Sequence, residues 1–150
     1  MKTDDLLKLL KTKFGSKIIS FDKRLENRVI MNIKPDALLQ IVKFLFEDLS
    51  CRYVIASGSE LREGMEVIYH LSYEETGLLI NPRVLLPHDK PEVESLVPVI
   101  KGTEWIEREM YELLGIKFLN HPNLIPLLTE GYETVNKFPL RRHNQEPANE

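Results

Sequence analysis

The sequence contains one cysteine, Cys51, and no long apolar run. One thiol cannot form a disulfide within the chain, and it cannot supply the ligands of a cysteine-built zinc or iron–sulfur site. No stretch approaches the roughly 20 apolar residues of a membrane-spanning helix, and the charged start lacks the apolar block of a signal peptide. We therefore expect a chain without its own metal centre or membrane span, in a reducing cytoplasmic location.

Charge is plentiful but unevenly spread along the 150 residues. The net charge is −3, and 43% of the residues are hydrophobic, as in an ordinary globular domain. Residues 1–34 carry nine Lys or Arg against four Asp or Glu, whereas residues 35–100 carry five against eleven. The N-terminal lysines come without a cluster of aromatic residues or arginines, so we interpret them as a solvated face and expect no nucleic-acid partner.

The first 86 residues show alternating helix and strand patterns. Helices are predicted over residues 4–14, with Thr3 as N-cap and Gly15 as the stop, and over residues 35–49. Strands are predicted over residues 16–21, 28–33, 53–56, 66–73 and 78–85. This order predicts an α+β fold with a mixed or antiparallel sheet and the two helices on one face. Pro82 favours an edge position or a bulge for the last strand.

The pattern changes after Leu86. A third helix is predicted from about residue 102 to Leu114 and ends at Gly115, followed by a proline-rich stretch with little periodicity. Such a stretch is unusual inside a compact domain. We therefore divide the chain into an α+β domain, residues 1–115, and an extended partner-binding segment with a disordered tail, residues 116–150.

A helical wheel that begins at Trp105 describes the third helix. It places Trp105 in an apolar arc and assigns Glu107, Arg108 and Glu112 to the solvated side. Glu109 falls inside the apolar arc, where a carboxylate is costly unless it meets a cation or donors.

Three interpretations of these carboxylates remain open. Glu109 extends to water at the edge of the arc, or it pairs with Arg141 or Arg142. Alternatively, Glu107, Glu109 or Glu112 acts as a general acid or base with His121, although no nucleophile or phosphate-binding loop accompanies them.

The four histidines, His70, His88, His121 and His143, show no metal-ligand spacing. We expect His121 to hydrogen-bond backbone at a turn. Cys51 is expected to be a small buried side chain.

Several runs in the last third of the chain occur in a distinctive order. They are PEVESL from Pro91, EREMYELLGI from Glu107, HPNL from His121 and PLRR from Pro139. Together they resemble the signature of the 30 kDa subunit family of the respiratory complex I NADH dehydrogenase, which includes the related subunit of membrane-bound energy-converting hydrogenases. The motif and interaction positions are Glu107, Arg108, Glu109, Glu112, Gly115, His121, Pro122, Pro139, Leu140, Arg141 and Arg142. Where this family usually has Asp, the chain has Glu112, and Ile125-Pro126 replaces the usual arginine pair. These departures favour a prokaryotic member nearer the hydrogenase-type complexes.

The resemblance implies a cofactor-free structural subunit in the peripheral arm of a membrane-associated electron-transfer complex. It would dock on the hydrogenase-like large subunit, near the small iron–sulfur subunit, at the cytoplasmic face of the membrane. Partner subunits would carry the iron–sulfur clusters, and contact with the membrane would be indirect. The alternative is a free-standing small α+β enzyme or ligand-binding module that uses Glu107, Glu109 and Glu112.

Overall fold

The computed structural model describes residues 1–129 and 137–142, which form three α-helices and seven strands. The helices are α1 (Thr3–Phe14), α2 (Leu38–Lys43) and α3 (Glu104–Leu114). The strands are β1 (Ile18–Leu25), β2 (Arg28–Ile33), β3 (Arg52–Glu60), β4 (Met65–Tyr73), β5 (Leu78–Leu86), β6 (Glu92–Glu94) and β7 (Lys117–Leu119). Five strands form one sheet in the order β1-β2-β5-β4-β3, and β6 pairs with β7 in a second sheet.

The helices cover one face of the five-stranded sheet. Alternate residues of β2 and β4, among them Val29, Met31 and Val67, are fully buried in one apolar core with Leu6 of α1 and Ile41 of α2. Only β2 and β5 run parallel, and the other neighbours in this sheet are antiparallel. The predicted α+β fold, with a mixed sheet and both early helices on one face, is confirmed.

The helix boundaries differ from the prediction in two details. Thr3 is the first residue of α1 and Lys2 stands at the cap, so the N-cap assignment of Thr3 is wrong. Gly15 ends α1 with a φ of 53°, a conformation that glycine adopts without steric cost. The second helix, predicted over residues 35–49, consists of three consecutive parts. A 3-10 turn, Pro35–Ala37, precedes α2, and a π-helical turn, Phe44–Asp48, follows it.

Strand β5 lies in the centre of the sheet and pairs with β4 without a register shift, so the edge position or bulge predicted from Pro82 is wrong. The pairing with β4 is interrupted between Ile68–Arg83 and Leu71–Ile80. Pro82 lies in this interruption, so its missing backbone N–H leaves no hydrogen bond to β4 unmade. Next to Pro82, the side chain of Asn81 bridges the neighbouring strands, because its amide donates to Val29 O and its oxygen meets His70 Nδ1. The hydrogen bonds of the Asn81 side chain thus compensate for the backbone donor that Pro82 lacks in this central strand.

The opposite face of the sheet carries a row of hydrogen-bonded polar side chains that crosses all five strands. Asn32 donates to Ser20 Oγ at 2.9 Å, and Arg83 donates to Asn32 Oδ1 at 3.0 Å. Arg83 also pairs with Glu66, which accepts from Ser59. This row supplies polar partners on the face that the described helices leave uncovered.

The second sheet, β6 with β7, lies in the region predicted to be irregular. Its two strands are parallel and three residues long, and they bring Val93 opposite Phe118, both nearly fully buried. Strands this short give almost no periodic signal. Their pairing fixes the chain at both ends of α3.

Candidate functional site

Helix α3 is oriented differently from the wheel prediction. The side chain of Trp105 is 67% exposed, whereas Glu107 and Glu112 are 0% and 1% exposed. The assignment of Glu107 and Glu112 to a solvated side is therefore wrong. The reason is that α3 is covered twice: the sheet covers the side of Met110 and Leu114, and the following chain covers the side of Glu112.

Glu107 sits at the centre of a buried polar cluster. Its Oε1 accepts from the Tyr69 hydroxyl at 2.9 Å and from the backbone N–H of Leu96 at 2.8 Å. Its Oε2 accepts from the Ser95 hydroxyl at 2.6 Å and lies 3.8 Å from His121 Nε2. One carboxylate thus joins β4, the loop after β6 and α3, and it lies next to the segment that follows β7.

Burial dominates the ionisation of this cluster. It raises the pKa of Glu107 more than the hydrogen bonds from Ser95, Leu96 and Tyr69 and the charge of His121 lower it. Burial also raises the pKa of Tyr69 well above its usual value, and the adjacent Glu107 carboxylate raises it further. Burial and the Glu107 charge together raise the pKa of Tyr53 to about 12.

Residues 121–129, which we call the strap, run along α3 and are held by two of its charged side chains. The Arg108 guanidinium donates to Ile125 O at 2.9 Å and to Pro126 O at 3.0 Å. Glu112 Oε2 accepts from the backbone N–H of Leu127 at 2.6 Å and of Leu128 at 2.8 Å. Arg108 and Glu112 are one turn apart, so a single helix stripe binds four consecutive backbone positions.

Glu112 keeps its charge in this arrangement. Burial acts to raise its pKa, but the hydrogen bonds from the strap, chiefly those of the Leu128 and Leu127 backbone, outweigh burial and lower the pKa below its usual value. The strap is therefore attached through charge-assisted hydrogen bonds, which are the stronger class.

His121 begins the strap with its side chain completely buried. Its Nδ1 accepts from the backbone N–H of Asn123 at 3.0 Å, and its Nε2 lies 3.1 Å from Glu104 O. Since Nδ1 is an acceptor, the ring proton is on Nε2 and is donated to that carbonyl. The expectation that His121 bonds backbone at a turn is confirmed, while Pro122 beside it is exposed.

The residues around Pro139 return to the end of α3. Leu140 N donates to Leu113 O at 3.0 Å, and the Phe138 ring lies 3.0 Å from where a Cβ on Gly115 would stand. With its φ of 72° as well, Gly115 could not easily be another residue.

The two arginines that follow bind backbone and loop groups. Arg141 donates to His88 O, and the backbone N–H of Arg142 donates to Glu60 Oε2. Pro139 and Leu140 are exposed.

Glu109 is half-buried and has no ion pair within residues 1–129 and 137–142. The predicted pair with Arg141 or Arg142 is therefore wrong, because Arg141 binds a carbonyl and Arg142 is exposed. Glu109 lines a shallow cavity of about 250 Å³ between α3 and β3, beside Leu140.

The wheel could have been phased correctly from the sequence. At 100° per residue Glu107 lies about 20° from Leu114, inside the stripe that proves to be buried. The apolar arc of the predicted wheel was misplaced because it included Trp105, the largest apolar residue, whose side chain is exposed. The strap contacts had no such signal, since they bind backbone groups rather than particular side chains.

Within the described residues, neither Cys51 nor a cluster of metal-binding side chains provides a reaction site. Cys51 is 1% exposed, as expected, and burial raises the pKa of its thiol to about 11. Among residues 1–129 and 137–142 no group of three or more His, Cys, Asp or Glu could hold a metal ion. In the same residues, no helix combines the length and apolar character of a membrane span. His143 and the tail predicted to be disordered lie outside the described residues.

The geometry defines a two-layer α+β domain whose buried carboxylates organise its own chain. The chain belongs to the family described as respiratory-chain NADH dehydrogenase, 30 Kd subunit, which it matches over residues 31–150. The resemblance predicted from the motifs is therefore confirmed.

Two curated relatives span different types of complex. A subunit of the F(420)H(2) dehydrogenase of Methanosarcina mazei is 32% identical over 118 residues, covering 77% of this chain and 74% of the relative. A subunit of the NADH-quinone oxidoreductase of Mesorhizobium japonicum is 32% identical over 120 residues, covering 73% of this chain and 59% of the relative. The match thus spans about three fifths of the NADH-quinone relative.

Two solved structures share the fold at 18% sequence identity. A trypsin-resistant fragment (1-134) of Nqo5 superimposes with a TM-score of 0.69, covering 83% of this chain and 100% of the fragment. A chain of the membrane-bound sulfane sulfur reductase, an archaeal respiratory membrane complex, gives a TM-score of 0.77, covering 89% of this chain and 81% of that chain.

Proposed function

We propose that this chain is a cofactor-free interaction subunit in the peripheral arm of a membrane-associated electron-transfer complex of the NADH dehydrogenase or energy-converting hydrogenase type. It docks on the hydrogenase-like large subunit, next to the small iron–sulfur subunit, at the cytoplasmic face of the membrane. The clusters belong to those partners. The segment from residue 116 onward carries the docking surface.

The strap supports this proposal. Arg108 and Glu112 use the backbone polar groups of residues 125–128, and the side chains of Ile125 and Leu128 remain 43% and 61% exposed. Leu140 and Trp105, at 58% and 67% exposed, add further apolar surface. Apolar side chains on a backbone that is already ordered lower the entropy cost of binding, which suits a docking surface.

The alternative of a free-standing enzyme finds less support. Glu107 and Glu112 are buried and already accept several hydrogen bonds, so they offer no room to a substrate. Of these three glutamates, Glu109 lines a cavity of the described residues, and apart from Ser57, whose hydroxyl lies 3.1 Å from His70 Nε2, the other side chains of that lining are apolar.

Affinity purification from native membranes tests the docking proposal. The tagged wild-type chain should bring down the large subunit and the small iron–sulfur subunit, identified by mass spectrometry. The double variant Ile125→Asp with Leu128→Asp should fold normally but lose both partners, because charges would be buried in the interface.

Ile19→Asp is the matched control, since Ile19 is 66% exposed on β1, at the far edge of the sheet. This control should keep the partners. Retention of the large subunit by the double variant, or its equal loss in Ile19→Asp, would refute docking through the strap.

A further inference from the structure

The five-stranded sheet ends in two edge strands, β1 and β3, whose outer backbone groups pair with no strand of the described residues. Proteins usually protect such an edge with charged side chains, prolines or bulges. Strand β1 has this protection, because residues 22–24 are all charged and its register with β2 shifts twice. Residues 53–59 of β3 include neither a charged residue nor a proline, and the register with β4 shifts once, near their start. The edge of β3 is therefore open to pairing.

A groove lies beside this edge, between β3 and α3. Its cavity of about 250 Å³ is lined mostly by apolar or small residues, among them residues 56–58, Leu113 and Leu140. The helix lies directly against the strand, because a Cβ on Gly58 would stand 2.8 Å from Met110 Sδ. The apolar side chains of α3 and the backbone edge of β3 thus lie side by side.

Exposed apolar side chains extend the surface around the groove. Val54 and Ile55 of β3 are 44% and 52% exposed. Trp105, which is 67% exposed, precedes Glu109 of the groove by one turn of α3. A concentration of exposed apolar side chains marks a surface that binds another protein. This edge of the domain therefore has the composition of a docking surface.

We propose that an extended segment of a partner subunit adds a strand to the outer edge of β3 and places a lysine or an arginine against Glu109. Backbone hydrogen bonds along β3 supply affinity, and alternate side chains of the added strand enter the groove. This proposal rests on the proposed function for the existence of the partner, but it concerns a surface other than the strap.

Glu109 determines the charge of the occupant. It is the charged side chain of the groove lining, and it is half-buried without an ion pair in the described part of the chain, residues 1–129 and 137–142. An added strand would displace water from this carboxylate, which is costly unless a cation takes the place of the water. A partner segment with a lysine or an arginine opposite Glu109 meets this requirement, whereas a wholly apolar segment does not.

A second copy of this chain fits the edge of β3 less well. Residues 53–59 contain no lysine or arginine, and Arg52 before them already pairs with Glu74 at 3.0 Å. Two copies joined edge to edge through β3 would therefore bury both Glu109 carboxylates without a cation. The charge of the groove thus favours a different chain as the occupant.

Hydrogen exchange followed by mass spectrometry tests the added strand, with the isolated chain compared to the whole complex purified through the tagged chain. The backbone N–H groups of residues 54–59 should exchange at least about tenfold more slowly in the complex, because the added strand accepts from them. Strand β4 is paired on both sides within the chain and is the reference. Unchanged exchange of residues 54–59 in a complex that contains the partner subunits would overturn the added strand and leave the proposed function intact. A tagged chain that brings down no other subunit would overturn both.

A photo-cross-link identifies the occupant. Ile55→Cys, labelled with benzophenone maleimide in the complex, should couple on illumination to a partner segment that carries a lysine or an arginine among apolar residues. The label is selective because Cys51 is buried. Ile19→Cys, at an exposed isoleucine of β1, is the matched control and should not give this product. Coupling of Ile55→Cys to a second copy of this chain, to a segment without a cation, or to no partner would overturn the proposal.

Charge reversal tests the role of Glu109. Glu109→Lys should lower the recovery of the partner subunits at least about tenfold, because two cations would face each other in a buried site. Glu109→Gln should lower it less, and Glu26→Lys, at an exposed glutamate between β1 and β2, makes the same charge change and should leave it unaltered. Thermal unfolding of the isolated variants should match that of the wild type. Full recovery with Glu109→Lys, or equal loss with Glu26→Lys, would overturn the predicted ion pair.

Discussion

At the residue scale, three glutamates on one helix have three different environments. Glu107 accepts three hydrogen bonds in the core, Glu112 accepts two from the strap backbone, and Glu109 faces a shallow cavity. Removing a buried acceptor leaves its donors unpaired, at about 1–3 kcal/mol for each donor. We therefore expect the contribution of each glutamate to stability to increase with the number of hydrogen bonds that it accepts.

We expect Glu107→Ala to lower the free energy of unfolding by about 3 kcal/mol or more, since Tyr69, Ser95 and Leu96 would lose their acceptor. Glu109→Ala should change it by about 0.5 kcal/mol or less, as is usual for a side chain without such partners. Urea denaturation followed by circular dichroism measures both. Equal losses in the two variants would contradict this assignment.

The pH dependence of the free energy of unfolding, measured by urea denaturation, should change in opposite directions when Glu107 and Glu112 are replaced by glutamine. The pKa of Glu107 is raised in the folded state, so its contribution favours folding at low pH and is lost as pH rises from about 4.5 through the raised value. The pKa of Glu112 is lowered, so its contribution is present above about 4.5 and is lost as pH falls. Relative to wild type, Glu107→Gln should thus gain stability with rising pH across its window, and Glu112→Gln should lose it.

At the element scale, some strands pack so closely that only glycine fits at the point of contact. A Cβ on Gly64, in the turn from β3 to β4, would lie 2.3 Å from the carbonyl oxygen of Leu86 at the end of β5. A backbone atom cannot rotate away as a side-chain terminus can. Gly64 therefore allows the β3–β4 turn to approach β5.

We expect Gly64→Ala to destabilise the fold by about 2–3 kcal/mol through overpacking. Gly102→Ala is the matched control, because its added Cβ would meet nothing nearer than the Tyr53 ring at 3.9 Å. Its effect should stay within about 1 kcal/mol. Thermal unfolding of both variants checks the difference, and a Gly64→Ala variant as stable as Gly102→Ala would refute the close approach.

At the scale of the whole molecule, local patterns predicted most elements but not how they meet. Alternating apolar residues located β2 and β4, and Gly15 and Gly115 marked two helix ends correctly. The pairing of β5 with β2 was not predictable from Pro82, because the compensating bonds of Asn81 come from distant strands. The strap was missed for the same reason: its partners are backbone groups, which every sequence has.

The whole molecule should also lack a prosthetic group of its own. The lone thiol of Cys51 is buried, and the described residues contain no cluster of metal-binding side chains. We therefore expect the purified chain to show no visible absorption and only substoichiometric iron, zinc or flavin by elemental analysis and fluorescence. The intact complex, purified through the same tag, is the control that should carry the iron–sulfur absorption of the partner subunits. Stoichiometric metal or flavin that remains with the isolated chain after gel filtration would contradict the proposed role, because the electron path would then pass through this subunit.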